Sequence, residues 1–294
     1  MHSIRIATRR SPLAMWQSHH VAGLLRAQLA DLEVEFVSLD THADVRLDVP
    51  ISDLGGKGAF SKEVQARVLA GQADLAVHSA KDLQALTPDG LVIAAVPERG
   101  NPLDVLVGGR LADLPAGSVV GTGSNRRRVQ LAAARPDLVF QGLRGNIARR
   151  LAQLDEPGGP DAIVMAAAAL ERLDETPAVV DELDPAVMLP QVGQGALAVE
   201  CRADDAAMRD LLATIEHGPS RRCLDIERGF LAELGGDCDL PAGAHATLAG
   251  DEVTLTGFLA AADERASARV SASTVDHPDA ELGAVVARQV RAAL

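Results

Sequence analysis

LPQVGQGALAVE, residues 189–200, decides how the chain is laid out. A Pro- and Gly-flanked connection runs directly into an apolar segment, the pattern of a crossover followed by a returning strand. An earlier counterpart is PERGNP, residues 97–102, placed where the apolar run LVIAAV (91–96) ends at Pro97. Two such connections divide the first two-thirds of the chain into segments that leave one sheet, build a second, and come back.

Outward from these crossings the sequence alternates short apolar runs with helical patterns. SIRIAT (3–8), EVEFVSL (33–39), DLAVHS (74–79) and LVIAAV read as strands. A helix over about 12–29 carries Leu13, Trp16, Val21, Leu24 and Leu25 on its apolar side. ISDLGGKGAFSKE (51–63) reads as a mobile Gly-rich loop before a helix over about 61–70, which Gly71 closes. Between the crossings, SVVG (118–121), DLVFQG (137–142) and DAIVMA (161–166) read as strands. Asn146 caps a helix on which Ile147, Leu151 and Leu154 recur at helical spacing. Past 217 the character changes. Cys223, Ile226, Phe230 and Leu234 share one helical face, and three alternating strands follow, HATLAG (245–250), EVTLTGFLA (252–260) and ASARVSAST (266–274). The first two join at a Gly250–Asp251 hairpin, and a helix over about 279–293 closes the chain. The expected fold is α/β, with mixed, mainly parallel sheets linked by a double crossover and a small α+β domain at the end. The expected domains are 1–98 with 196–214, 99–195, and 218–294.

At 294 residues the chain is long enough for two or three proper cores. Its net charge of −13 opposes binding to a phosphate backbone or an anionic membrane. With five Phe, one Trp and no Tyr, it lacks aromatic platforms for single-stranded nucleic acid. The cysteines, Cys201, Cys223 and Cys238, form no C-x-x-C pair, so neither a disulfide framework nor a structural zinc site is indicated, and no metal site is expected. The N-terminus has no unbroken apolar stretch of the signal-peptide kind. The longest apolar run, AIVMAAAAL (162–170), is too short to span a bilayer. A cytoplasmic protein is the expectation.

Against this acidic background, GTGSNRRRVQ (121–130) begins a stretch to Arg150 that holds seven arginines and one acid, Asp137. A solvated helix face is the plain alternative. Two features favour a ligand. Every cation there is an arginine, whose planar fork matches a carboxylate or phosphate. Arg126, Arg127 and Arg144 also follow strand-to-helix loops, at the carboxyl edge of a parallel sheet where open α/β folds bind ligands. A compact polyanion is the partner this implies. ATRRSPL (7–13) adds Arg9 and Ser11 after the first strand, and the Gly-rich loop adds Lys57 and Lys62 as a lid, without the spacing of a phosphate-binding P-loop. AVHSAKDLQ (76–84) sets Lys81 beside Asp82 just past a buried strand, where an acid among cations stays ionised and can stabilise a cationic intermediate. His78, inside that strand, reads as structural. Cys201 and Cys223 lie on apolar faces, whereas Cys238 sits in the turn LGGDCDLPAGA (234–244), where a loop thiol can serve as nucleophile or attachment point.

Taken in order, RIATRRSPLA, GGKGAFSKE, DLAVHSAKDL, VGTGSNRRR, LRGNIARRL, DAIVMAAAALERL, LPQVGQGALAVECR and GGDCDLPAGA resemble the hydroxymethylbilane synthase (porphobilinogen deaminase) family over essentially the whole chain. The resemblance implies three domains, the first two like a type II periplasmic binding protein. It implies a transferase of tetrapyrrole and haem biosynthesis. Four porphobilinogen units are condensed stepwise, with loss of ammonia, onto a covalent dipyrromethane cofactor, and hydrolysis releases the linear tetrapyrrole. By motif, Cys238 matches the thioether attachment and Asp82 the catalytic carboxylate. Lys81, Ser124, Arg126, Arg127 and Arg144 match cofactor-binding positions, and Arg9, Ser11, Arg150, Arg172 and Gln194 match substrate-binding ones. Lys57 and Lys62 fall in the lid. A monomer with neither nucleic acid nor membrane as partner is expected. The sequence departs from the family pattern at Gly-Gly-Asp-Cys, at Gly-Thr-Gly-Ser before the arginines, and at Leu83-Gln84 after Asp82. The rival reading is a non-enzymatic two-domain binding protein for polycarboxylates. It accounts for the crossovers and the basic cleft, and gives Asp82 and Cys238 no role.

Overall fold

The computed structural model describes residues 3–39, 61–235, 240–261, 263–274 and 279–294. Lys57, the Gly-rich loop up to residue 60, and Cys238 lie outside them. Numbered along the chain, β1 (Ser3–Arg9), β2 (Glu33–Leu39), β3 (Leu75–Ser79), β4 (Leu91–Ala95) and β10 (Leu197–Arg202) form one sheet in the order β2-β1-β3-β10-β4. A second sheet contains β5 (Asp104–Val107), β6 (Val119–Gly121), β7 (Val139–Gln141), β8 (Ala162–Ala166) and β9 (Val180–Glu182), in the order β7-β6-β8-β5-β9. The two orders are the same plan used twice. In each, one central strand pairs in parallel on both sides, β1 with β2 and β3, and β6 with β7 and β8. In each, the fourth strand is antiparallel and arrives from the other sheet: β10 beside β3 and β4, β5 beside β8 and β9. Half the pairings are therefore antiparallel, because a strand that returns across the gap enters its new sheet from the opposite end. The double crossover is the one expected from 97–102 and 189–200. Strands β5 and β9 and a helix at Ala206–Ala213 are not among the elements predicted from the sequence.

Local chemistry explains the elements that bound the gap. Helix α1 (Pro12–Gln28) starts where the Ser11 hydroxyl accepts from the Ala14 amide at 3.4 Å, with Pro12 in the first turn. Its buried stripe is Ala14, Gln17, Ser18, Val21, Ala22 and Leu25. Small residues let this helix lie close to the sheet, which turns Trp16 to the flank, where its ring stacks on His20 at 5.0 Å. Helix α2 (Lys62–Leu69) ends as expected, with Gly71 at φ +67°. His78 is buried on β3 and faces Glu200 at 3.1 Å, the structural role expected of it. The third sheet, β11 (Ala242–Ala249), β12 (Glu252–Ala260) and β13 (Ser267–Thr274), is an antiparallel meander. It is packed by the long helix Gly218–Glu233 and the closing helix Asp279–Ala292, through Cys223, Ile226, Phe230, Leu234, Val286 and Val290.

The two crossings run side by side. The Gly100 amide donates to the Gly195 carbonyl at 3.1 Å. Gly195 is at φ +83°, and a Cβ there would stand 2.5 Å from the Gly100 carbonyl oxygen, so no other residue fits without opening the pair. Glu227, on the long helix and fully buried, bolts the third sheet to this point. Its carboxylate accepts from Arg99 Nη1 and Nη2 at 2.7 and 3.1 Å, from the Gly193 amide at 2.7 Å and from the Ala246 amide at 2.9 Å. Breaking a buried charge pair by removing one partner costs about 3–5 kcal/mol. Glu227→Gln is therefore expected to lower the urea midpoint by that loss divided by the slope of the transition, with the slope unchanged, a comparison that equilibrium unfolding makes directly.

Candidate active site

The parallel strands of both sheets end at the gap, and their loops place the polar residues. After β3 the chain makes a short 3₁₀ turn, Ala80–Asp82, with Ala80 buried and Lys81 and Asp82 partly exposed. Arg228 fixes the chain beyond by donating to the carbonyls of Gln84 and Ala85 at 2.9 and 2.7 Å. After β6, the Ser124 hydroxyl accepts from the Arg127 amide at 3.4 Å and starts helix α3 (Asn125–Ala134). After β7, the Asn146 side chain accepts from the Arg149 amide at 2.9 Å and starts α4 (Ile147–Ala152).

At the centre is a residue that no motif singled out. Asp104 opens β5 and is fully buried. Its Oδ1 accepts from Arg127 Nε and Nη2 at 3.0 and 2.6 Å and from Gln194 Nε2 at 3.0 Å, and its Oδ2 lies 2.8 Å from Arg126 Nη2. Gln194, also fully buried, accepts from Lys81 Nζ at 3.2 Å. Lys81, Gln194, Asp104, Arg126 and Arg127 are thus one connected group that bridges the two sheets. Arg126 and Arg127 are only 3% and 8% exposed, so the tip of the sequence cluster is an interior feature and not a solvated face. The remaining arginines divide. Arg128 pairs with Glu264, Arg135 with Asp137 at 2.6 Å, and Arg149 with Glu156, partners that lie mostly outside the stretch in which the charge was counted.

The electrostatics of the group follow from one carboxylate among several cations. Burial pushes the Asp104 carboxyl up, but Arg126, Arg127, Lys81 and the Gln194 hydrogen bond pull it down to about 2. Burial and then Arg127 bring Lys81 down to about 8, against the pull of Asp82 and Asp104. Burial, Arg127 and Arg144 bring Arg150 down to about 10, with Asp82 opposing. Asp82 therefore acts on Lys81 beside it and on Arg150 from the other sheet, and the gap holds a surplus of cations around that acid.

Seven of the twelve described residues picked out by sequence converge here: Lys81, Asp82, Arg126, Arg127, Arg144, Arg150 and Gln194. Ser124 and Ser11 sit at the same sheet edges with their hydroxyls used as helix caps. Arg9 ends β1, next to β3. Lys62 is exposed at the start of α2. Arg172 stands apart. Its Nη2 donates to the Gly195 carbonyl at 2.6 Å, and its guanidinium lies 5.5 Å from the Trp16 ring centre. It borders a separate cavity of about 560 Å³ with Trp16, His20, Arg99 and His217. Asp104 and Glu227 were missed. An acid opening the apolar run VLV, and an acid four residues after Cys223 and three before Phe230 on a buried face, were the available signals.

Such an arrangement defines a class: a two-lobed α/β protein with a buried cationic group between two sheets and a third unit fastened to its crossings. Comparison with known proteins makes the assignment. Residues 4–210 match the family described as porphobilinogen deaminase, dipyromethane cofactor binding domain, and residues 221–292 match porphobilinogen deaminase, C-terminal domain. The porphobilinogen deaminase of Chromobacterium violaceum is 47% identical over 99% of this chain and 94% of its own length. Among solved structures, YhfZ from Shigella flexneri gives a TM-score of 0.38 at 18% identity over 81% of this chain and 99% of that one. The periplasmic aliphatic sulphonate binding protein SsuA from Escherichia coli gives 0.37 at 14% identity, over 80% and 71%. These two likenesses are loose and add nothing to the family assignment. The chain belongs to the porphobilinogen deaminase family. It is a transferase of tetrapyrrole biosynthesis with hydroxymethylbilane synthase activity and a dipyrromethane cofactor, and the non-enzymatic reading falls away. No helix among the described residues is long and apolar enough to cross a membrane.

The lowered Lys81 sets a pH limit. The unfolded chain keeps this proton up to the ordinary 10.5, while the folded one releases it from about 8, so this group makes stability rise with pH between those values. Its attraction for a carboxylate runs the other way. Titrated with citrate, the apoprotein is expected to bind more weakly as pH rises through about 8, while Lys81→Arg stays level through that range because a guanidinium keeps its charge.

Proposed function

We propose that the condensation takes place in the gap between the two five-stranded sheets, with Asp82 as catalytic carboxylate and Cys238 as the residue that carries the cofactor through a thioether. The observation that carries this reading is the position of Asp82, whose charge is felt by Lys81 from one sheet and Arg150 from the other. Three domains divide the work: 1–98 with 196–214 hold Asp82 and the lid lysines Lys57 and Lys62, 99–195 hold the arginines, and 218–294 hold Cys238. The enzyme acts as a cytoplasmic monomer on porphobilinogen, with neither nucleic acid nor membrane as partner.

The residues present fit the cofactor. Two linked pyrroles bear four carboxylates, one acetate and one propionate on each ring. Lys81, Arg126, Arg127 and Arg144, with Ser124, form a donor set matched to such a group, and the buried Arg126 Nε has no hydrogen-bond partner among the described residues. Leu240, two residues after Cys238, lines a small cavity with Ala80, Lys81 and Leu83. When bound, the dipyrromethane supplies the nucleophilic pyrrole carbon to which the first substrate is joined.

On porphobilinogen, whose amine carries its proton as an ammonium, the bond between the aminomethyl carbon and nitrogen breaks, neutral ammonia leaves with the electron pair, and the positive charge stays on the carbon framework and spreads to the pyrrole N–H. Asp82 accepts that N–H and stabilises the charge where it develops. Arg9, Ser11 and Arg150 orient the incoming acetate and propionate, which keeps the reacting carbons in line, while Gln194 and Arg172 act from behind, on Lys81 and on the Gly195 carbonyl. Two outcomes test the roles. Asp82→Asn is expected to keep the cofactor and the substrate KM within a few-fold while kcat falls by about 10²–10³, the scale of a lost electrostatic stabiliser. Intact-mass and peptide analysis should find two pyrrole units on the Cys238 peptide. They should persist in Cys201→Ala and Cys223→Ala and be lost, with all turnover, in Cys238→Ala. An active Cys238→Ala enzyme removes the attachment role, and near-normal kcat in Asp82→Asn removes the catalytic one.

A further inference from the structure

The geometry around Asp104 assigns it a role beyond the site residues named so far, resting on the reading of the gap as the cofactor's seat. We propose that Asp104 is a positioning residue, the resident counter-anion that holds Arg126 and Arg127 together in the apoprotein until carboxylates of the cofactor arrive. Neighbouring residues on a helix point about 100° apart, so two consecutive arginines do not naturally reach one point. They do so here because Asp104, on a strand facing the first turn of α3, offers one oxygen to each: Oδ1 to Arg127 at 2.6 and 3.0 Å, Oδ2 to Arg126 at 2.8 Å. The same Oδ1 takes Gln194 at 3.0 Å, and Gln194 holds Lys81 at 3.2 Å, so one carboxylate orients three cations from two chain segments.

The cluster is a poor device for stability alone. Apolar residues of similar volume commonly replace a buried ion cluster at no loss. Asp104 is outnumbered by Arg126, Arg127 and Lys81, and the buried Arg126 Nε lacks a hydrogen-bond partner among the described residues. A buried, incompletely satisfied surplus of positive charge is costly until an anion completes it. Asp104 keeps that surplus bearable and ordered, and added carboxylates relieve what remains. Removing Asp104 should therefore harm the empty protein more than the loaded one.

The test is a comparison of melting temperatures, apo against loaded, for the wild type, Asp104→Asn and Asp104→Glu. Apoprotein comes from cells that make no porphobilinogen, and loading is by incubation with porphobilinogen and scored as the two-pyrrole mass on the Cys238 peptide. The expected result is a gap between loaded and apo forms that is wider in Asp104→Asn than in the wild type by about 3 °C or more, with Asp104→Glu returning toward the wild-type gap. Equal gaps in a wild type that loads normally overturn the role of Asp104 and leave the site assignment standing. A wild type that never gains the adduct overturns both. Should apo Asp104→Asn fail to fold, its recovery in added citrate while Asp104→Glu folds without it supports the proposal. Failure to recover in citrate or on loading makes Asp104 a residue of the fold alone.

Discussion

The hydrogen bond between Gly100 and Gly195 joins the two crossings between the five-stranded sheets, and the rest of the architecture is referred to it. Because the crossings touch, β5 and β10 enter their sheets at corresponding places, and the carboxyl ends of the parallel strands open onto one gap. Glu227 makes that point a three-way joint. Its carboxylate takes Arg99 from the first crossing, Gly193 from the second and Ala246 from β11. Arg99 also donates through Nε to the Gln194 carbonyl at 2.8 Å. Gln194 itself belongs to the cation group, so the joint and the site share a residue. One residue thus connects the crossings to Lys81 and Asp104.

An acidic chain can keep a cationic gap because charge is settled locally. Interactions between exposed charges fade beyond a Debye length of about 8–10 Å, so the surplus of acids elsewhere does not neutralise a buried group. What sets the potential in the gap is the short list of groups in it. Arginine suits such a place, since it keeps its charge under desolvation and divides its donors among several acceptors. Arg127 does so with Asp104 and the Val164 carbonyl. The one lysine in the group is brought to about 8 by the same surroundings.

Much of this was legible in the residues. The alternation of apolar runs, the helix-starting Asn146 and the Pro/Gly crossings led to the right architecture, because each is a local signal with a local cause. Strands β5 and β9, four and three residues long, are held by pairing with β8 and with each other and carry too little pattern of their own. Missing β5 hid Asp104, and with it the reason that Arg126 and Arg127 turn inward. Counting charge along the chain treated Arg128, Arg135 and Arg149 as part of one cluster, whereas Glu264 and Glu156 reach two of them from elsewhere. An acid beside an apolar run signals burial, but the distant partner that it meets there has no local signature, and that is where the sequence falls silent.

Two buried carboxylates, Glu227 and Asp104, show how a structural ion pair differs from a poised one. Both are fully buried and both hold arginine. Glu227 faces one cation and fills its remaining lone pairs with two backbone amides, so nothing near it is left wanting a partner. Asp104 faces two guanidiniums and, through Gln194, an ammonium, and a donor beside it stays unmatched. A balanced pair resists change, because any substitution unbalances it. An outnumbered carboxylate leaves work for an incoming anion, and that deficit, more than the presence of arginine, distinguishes the binding gap from the joint that holds it in shape.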